Sequence, residues 1–458
     1  MIAWPRSVVA AFVAVNLIAA INITLHDSRI GYDMADHVAY IDALARGRLP
    51  TEADTAQFFA APLPYVFPAL LKSTGAVTRV GVIWKMAQVQ NILAALLITA
   101  GMVQICRRAR PDDPQLAVWA LILLGSIAAY QRTLSFTRGE PLAAAMGVWA
   151  VERVLAWSDT RSMSPVVQAG LLCGLMLLAK QWGAFVVMAI LVFFALRQRE
   201  WRAPIVRAFG RTGVTLALTV GLAGWFYWSL DQRFGSPLAF NQPRPAFAFS
   251  NRPGFFYSLS LPPALFQAPV RDAFDEQPLP VLYADTWGDY YGYWLLTGRD
   301  AGHGGPLPGD NLLLPETVTN RAQIAPYLAR VNVAAVPETF LLLAGVATGI
   351  WLAAQMGLAQ AADPLRRARA IAALVCVLSV AGYWGLLVWV PNLGIKASYQ
   401  FQVLPFAAFG GAAVLRSVMQ RSPTLGRSLA FVLAVAIVHN AGTLFSRYSL
   451  IGGFYEWH

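Results

Sequence analysis

With 458 residues, 57% of them apolar and only 13% charged, and a mean hydropathy of +0.51, the chain carries more apolar surface than a soluble core of that length needs. A water-soluble globular protein is excluded; the sequence describes an integral membrane protein. Most of the +11 net charge sits on arginines of short loops, where membrane topology and anionic lipid account for it, so it gives no ground for a nucleic-acid partner.

Apolar runs of about 20 residues, enough to cross roughly 30 Å of hydrocarbon, recur at 7–25, 82–105, 115–131, 140–157, 165–179, 182–196, 212–230, 337–356, 371–390, 401–415 and 428–445. They predict an all-α polytopic membrane protein of about 11 transmembrane helices. The first run lacks a small-residue cleavage site and reads as a retained helix. Cationic residues of short loops stay in the cytoplasm. Arg107, Arg108 and Arg110, then Arg197, Arg199, Arg202, Arg207 and Arg211, then Arg366, Arg367 and Arg369, and finally Arg416, Arg421 and Arg427 share one side if the N-terminus is inside. The C-terminal tail is then outside.

Two long loops fall on the outer side, 26–81 and 231–336, and function is expected there. They divide the chain into an N-terminal core (1–230, including the first loop), a loop region (231–336) and C-terminal helices (337–458). The first loop opens with Asp33, Asp36, His37 and Asp42, continues as a helical stretch with apolar Val38, Ile41, Leu44 and Ala45, and then runs APLPYVFPALL at 61–71. Such a pair suits helices lying along the membrane surface, either as a hairpin that plugs the bundle or as part of a site. The second loop holds PLPVLYADTWGDYYGYWLLTG at 278–298 and a glycine-rich turn at 301–308. Its aromatic residues fit two uses equally. One is an interfacial belt; the other is a pocket in which Tyr283 and Trp287 stack on a sugar or lipid head group while Asp285 and Asp289 accept hydroxyl hydrogen bonds.

Four segments bring ionisable residues to the outer face: 33–42, the Thr137-Arg138-Gly139-Glu140-Pro141 turn, Lys180-Gln181, and 394–399 with Lys396 and Tyr399. Each charge would cost about 2.5–3.5 kcal/mol at the bilayer centre, so a wet cavity is the natural place for them. The chain has four lysines among its 35 basic residues, Lys72, Lys85, Lys180 and Lys396, all on or near the outer side. Bland readings stand beside the functional ones: Arg138 and Glu140 pairing at a helix N-terminus, Lys180 snorkelling to the interface, His37 as a hydrogen-bonded loop residue, and Asp36 and Asp42 as solvated groups. Cys106, Cys173 and Cys376 lie in or beside helices and indicate neither disulfides nor a metal site. Neither an internal repeat nor a P-loop, dinucleotide fingerprint, HExxH or GxSxG motif occurs.

Several strings together resemble the GT-C superfamily of membrane glycosyltransferases, in particular its protein mannosyltransferase and aminoarabinose transferase-like group, and they cover most of the membrane region. GYDMADHVAYIDALARGRLP is similar to the family's D-E-x-x-H-x-x-Y pattern with its Gly-x-x-Pro close. APLPYVFPALL looks like its P-P-L-Y-Y segment, and SFTRGEPLAA like its second outer turn with an acidic residue. GLLCGLMLLAKQWGAFVVMAILVFFALR resembles its helix-lysine-helix unit, and IKASYQFQVLPFAAFGGA the start of a late helix.

The resemblance implies an inverting transferase that moves a sugar from a polyprenyl-phosphate donor to a periplasmic glycan, lipid or protein acceptor, as a multi-pass protein of the bacterial inner membrane. Such a reaction needs a carboxylate to accept the acceptor hydroxyl's proton and fixed cations to stabilise the leaving phosphate. Asp33 is the expected base, with Glu140 as second acidic residue and His37, one helical turn on, in its proton network. Arg138, Lys180 and Lys396, with Tyr399, are the expected donor-phosphate partners, and Tyr283, Asp285, Trp287 and Asp289 the expected acceptor or sugar contacts. No cofactor is called for with certainty. Met34 stands where the family pattern often has Glu, which puts dependence on a divalent cation in doubt. A transporter or flippase of a lipid-linked saccharide is the competing class, but it would place ionisable groups near helix midpoints rather than at outer helix ends. An O-antigen polymerase or ligase shares the long outer loop without predicting the acidic cluster after the first helix.

Overall fold

The computed structural model describes residues 4–28, 30–200, 205–242, 244–271, 273–274, 276–295, 321–356 and 363–446. The glycine-rich stretch 301–308 and the C-terminal tail lie outside them. Among the described residues there are helices and turns and no strand. In chain order the helices are α1 (Arg6–Leu25), α2 (Met34–Ala45), α3 (Leu63–Ser73), α4 (Val80–Ala109), α5 (Pro114–Gly125), α6 (Ala128–Ser135), α7 (Glu140–Thr160) and α8 (Ser164–Ala179). They continue with α9 (Gly183–Glu200), α10 (Ile205–Phe234), α11 (Pro278–Trp287), α12 (Arg321–Ala334), α13 (Val336–Gln355), α14 (Pro364–Trp389), α15 (Leu404–Arg421) and α16 (Pro423–Asn440).

A helix occupies each of the eleven apolar runs. Seven helical stretches among the described residues are long and apolar enough to cross a membrane, and eight if a bent pair counts as one span. α8 is apolar but short, while α7 carries Glu152, Arg153 and Asp159 towards its C-terminal end.

The bent pair departs from the single span expected at 115–131. α5 and α6 meet at 68°, because the chain leaves the helix at Ser126 and Ile127 and its freed polar groups are satisfied from the side. Ser126 Oγ donates to Leu123 O at 2.8 Å and to Glu338 Oε1 at 2.5 Å, and Gln131 Nε2 donates to Gly125 O at 3.2 Å. A break at membrane depth is tolerated where protein re-satisfies the backbone in this way. Its consequence is to turn α6, with the fully buried Arg132, towards the outer-loop layer.

Elsewhere the helices pack by shape. α13 and α15 cross so closely at Gly345 and Gly410 that a Cβ on Gly345 would lie 2.3 Å from the Gly410 carbonyl carbon, which only glycine permits. In the first loop, α2 and α3 pack together with Tyr40 and Tyr65 stacked at 4.3 Å. α3 turns Val66, Phe67 and Leu70 outwards, a face suited to lipid.

The aromatics of the second loop form a core of their own. Tyr290, Tyr291, Trp294 and Phe274 pack with Tyr32, Phe136, Trp182 and Tyr383. Trp294 is wholly buried, its indole donating to Thr443 O at 2.7 Å. Neither an interfacial belt nor an open stacking surface describes these rings.

Candidate active site

Five charged side chains from four separated segments meet at the N-terminal end of α7. The first is Asp33, which sits just before α2 in the left-handed region at φ 58° and ψ 30°. This conformation disfavours an ordinary L-residue by about 1–2 kcal/mol, less for aspartate. Its carboxylate remains 37% exposed, and Lys396 Nζ lies 3.6 Å away. Lys396 foremost, against the effect of burial and with help from Arg138, holds the Asp33 carboxyl down to about 2. Burial works against the charged form of Lys396, but Asp33 and Tyr399 outweigh it and its pKa is raised.

The second carboxylate, Glu140, is the first residue of α7, where the helix N-terminus favours negative charge. Arg138 grips it through Nη2 to Oε1 at 2.9 Å and Nε to Oε2 at 3.2 Å, and Lys180 Nζ reaches Oε1 at 3.2 Å. Gly139 makes that meeting possible. A Cβ there would come 2.2 Å from Ala179 O, so only glycine lets the turn press against the C-terminus of α8, which carries Lys180. The pairing of Arg138 with Glu140 is thus real, and it does not exhaust Arg138: Nη1 is buried without a hydrogen-bond partner among the described residues.

Two tyrosine rings line the cations. The Arg138 guanidinium lies 5.3 Å from the ring centres of both Tyr32 and Tyr399, and Lys396 Nζ 4.6 Å and 5.7 Å from the same rings. Lys180 Nζ stands 5.9 Å from Tyr399, in a setting more enclosed than an interface lysine would have. Three fixed cations face two carboxylates, so the cage keeps one unbalanced positive charge in a largely buried setting, where electrostatic interactions are strong.

His37 lies one turn beyond Asp33, buried, with Nδ1 2.7 Å from Tyr65 Oη and Nε2 without a partner among the described residues. Burial first, then Arg138, lowers its pKa to about 3, so it is neutral at ordinary pH. Asp36 accepts from Ala56 N at 2.9 Å and Thr55 Oγ1 at 3.1 Å, and Asp42 pairs with Lys72. Both organise the first loop away from the cage.

The expected acceptor contacts are placed otherwise. Asp285 has no exposed surface and pairs with Arg132 at 2.8 Å. Asp289, equally buried, accepts from the backbone of Trp294 at 2.8 Å and Leu295 at 2.6 Å. Trp287 packs in the bundle core, and Tyr283 Oη donates to Asn332 O at 2.7 Å. A carboxylate bracketed between flat rings in sequence looks like a sugar site, but here Asp285 is satisfied by Arg132 and the backbone of Ala397, and Asp289 by the backbone of Trp294 and Leu295. The sequence reading missed Tyr32, immediately before Asp33, and Trp182, two residues after Lys180, whose ring lies 5.3 Å from Tyr399 and whose indole nitrogen is buried without a partner among the described residues.

A divalent cation would have to compete with the cations already present. Asp33 and Glu140 are already neutralised by Lys396, Lys180 and Arg138, and no group of three or more His, Cys, Asp or Glu side chains among the described residues is arranged to hold a metal.

No family model and no curated protein matches the chain. Among solved structures it is similar to an oligosaccharyltransferase from Archaeoglobus fulgidus in the apo form, at 14% identity and a TM-score of 0.49 over 96% of this chain and 56% of that one. It is similar also to AglB of the same organism in complex with an inhibitory peptide and a dolichol-phosphate, at 12% identity and a TM-score of 0.48 over 96% and 56% of the two chains. A third is ArnT from Cupriavidus metallidurans bound to undecaprenyl phosphate, at 16% identity and a TM-score of 0.41 over 91% and 79%. The chain spans about half the length of the oligosaccharyltransferase chains. The functional reading therefore rests on the chain's own cage.

Proposed function

We propose that this chain is a GT-C-type membrane glycosyltransferase that moves a sugar from a polyprenyl-phosphate donor to a hydroxyl of a glycan, lipid or protein acceptor. The observation that carries the reading is a partly exposed Asp33 carboxylate beside a net-positive cage of Arg138, Lys180 and Lys396. The acceptor oxygen attacks the anomeric carbon from the face opposite the phosphate, Asp33 takes its proton, and the bond from that carbon to the phosphate oxygen breaks with its electron pair on the phosphate. The three cations stabilise the charge that develops there, and the unpartnered Arg138 Nη1 is the donor left to receive it. A carboxyl at about 2 is a weak base in the resting site. The donor phosphate corrects this, because it competes for Lys396 and Arg138 and so releases Asp33 towards a higher pKa.

In this reading the eleven helical runs span a bacterial inner membrane. The N-terminus is cytoplasmic, the C-terminus periplasmic, and the two long loops with the cage lie on the periplasmic side. The core 1–230 supplies Asp33, Arg138, Glu140 and Lys180, the described part of 231–336 packs Tyr291 and Tyr293 against Tyr32, and 337–458 brings Lys396 and Tyr399.

The test is transfer by purified protein in liposomes, offered radiolabelled polyprenyl-phosphate sugars and membrane lipid extract, wild type beside Asp33→Asn. Transfer that vanishes in a folded, donor-binding Asp33→Asn protein supports the enzyme. Translocation of the lipid-linked sugar without transfer, surviving Asp33→Asn, supports a flippase instead.

A further inference from the structure

The charged pair Arg132–Asp285 lies behind the cage and takes no part in the chemistry above. Both side chains are 0% exposed. Arg132, on the helix that the 68° bend turns outwards, donates through Nη2 to Asp285 Oδ1 at 2.8 Å and to the Asp285 carbonyl, and through Nη1 to Gly288 O at 2.7 Å. It therefore fixes the C-terminal end of α11, where a cation meets open carbonyls. The other carboxylate oxygen, Asp285 Oδ2, accepts from the backbone N–H of Ala397 at 2.7 Å, and Oδ1 faces Tyr32 Oη at 3.4 Å. Ala397 follows Lys396 directly, and Tyr32 precedes Asp33.

We infer that Arg132 and Asp285 are positioning residues, which set Lys396 opposite Asp33 by holding the backbone immediately after Lys396. Three further contacts serve the same backbone. Tyr383 Oη accepts from Lys396 N at 2.9 Å and donates to Gly394 O at 3.2 Å, and Tyr291 Oη donates to Ile395 O. Asp285 alone in this set is charged, and it alone ties the 394–397 strap to an arginine of another segment. A fully buried carboxylate needs that arginine, since without it the charge would stand uncompensated. The second outer loop thus acts on the cage from behind, through Asp285, rather than by offering its carboxylates to a sugar. The inference rests on the function proposed above only for what Lys396 does once placed.

Two variants separate positioning from general support. Ala397→Pro deletes the N–H that Asp285 accepts; proline is tolerated at the start of a helical turn, and the extended backbone of Lys396 at φ −132° and ψ 133° suits the residue before proline. Asp285→Asn keeps an acceptor oxygen and removes the charge. Competitive acetylation of the purified full chain in detergent, with each lysine read by mass spectrometry, reports where the amine of Lys396 sits. Lys180 is the internal control, because Glu140 holds it independently of Asp285. The expected result is a several-fold rise in Lys396 labelling in Ala397→Pro, and in Asp285→Asn where it folds, with Lys180 unchanged. Unchanged Lys396 labelling, or a parallel rise at Lys180, overturns the inference. Sugar transfer by the same proteins is read separately. A wild type that transfers nothing counts against the proposed function, while the labelling still decides whether the pair positions Lys396.

Discussion

The two ends of α7 hold charge beside lipid in opposite ways. Glu140 opens the helix and Asp159 nears its close, a separation of about 30 Å along the axis. At the far end, carboxylates meet arginines, and part of the network retains water. Arg108 bridges Glu152 at 2.7 Å and Asp159 at 2.8 Å, Arg367 reaches Asp159 at 2.6 Å, and Arg108 and Asp159 are 27% and 29% exposed. The partly exposed Arg108–Asp159 pair contributes about 0–1 kcal/mol, while Glu152 is buried. At the near end every charge but Asp33 is enclosed, two of the three cations are lysines, and polar atoms of Arg138 and His37 are left without partners among the described residues. One end is an ion-pair rim in which Glu152 and Asp159 each have an arginine partner. The other keeps one unbalanced cation and an unpartnered Arg138 nitrogen, which fits the phosphate-binding role proposed for it.

The largest break in that contrast is Asp33→Asn. Removing the sole partly exposed carboxylate of the cage is expected to lower kcat for transfer roughly a thousandfold, within the range of general-base contributions, with donor binding kept. Single-turnover assays beside a binding titration with polyprenyl phosphate check it. Lost binding without a specific loss of turnover would make Asp33 a structural residue.

Lys396→Met comes next, with an expected loss of about a hundredfold in kcat, as for one donor to a developing oxyanion. It also moves the pH profile. Asp33 loses the foremost cause of its depression from 3.8 to about 2, so its pKa rises. Activity lost on acidification then begins at higher pH in the variant than in the wild type. A kcat/KM profile from pH 4 to 8 in which the acid limb stays put would separate Lys396 from Asp33.

Histidine tests the enclosure rather than the chemistry. His37 is lowered from 6.5 to about 3, and His26, also buried, to about 4. A folded pKa below the unfolded one means that the unfolded chain binds more protons, so stability is full above about pH 6.5 and falls as pH drops towards 3. Each histidine contributes a slope of up to about 1.4 kcal/mol per pH unit in that window. His37→Gln is expected to halve the combined slope in thermal unfolding of the detergent-solubilised protein; an unchanged slope would mean that water reaches the ring.

How much of this was legible follows from what each residue had to satisfy. The membrane helices were readable because hydrocarbon demands long apolar runs. The break after Gly125 was not, since Ser126 is anchored by Glu338, 212 residues away. Asp33, Arg138, Glu140, Lys180 and Lys396 stood out as charges at helix ends next to lipid, and folding brings them together. Tyr32 did not, because one tyrosine among many carries no signal until a cation lies over it. The aspartates of the second loop misled for the converse reason: their partner, Arg132, follows an apolar run about 150 residues earlier in the chain, and burial turns an apparent sugar contact into an internal strut.

The smallest expected effect on transfer belongs to the far rim. Arg416 holds Asp113 through two hydrogen bonds of 3.0 Å, with side chains 22% and 15% exposed. The pair is largely enclosed, so Arg416→Ala should lower stability by more than the ~0–1 kcal/mol of an exposed pair but leave transfer unaltered. The variant is nevertheless informative, because Arg416 lies towards the C-terminal end of α15, the helix that follows the strap carrying Lys396 at its other end. A stable Arg416→Ala protein with impaired transfer would mean that α15 carries a disturbance from rim to cage. The two ends of the bundle would then be one coupled device rather than an anchor and a site.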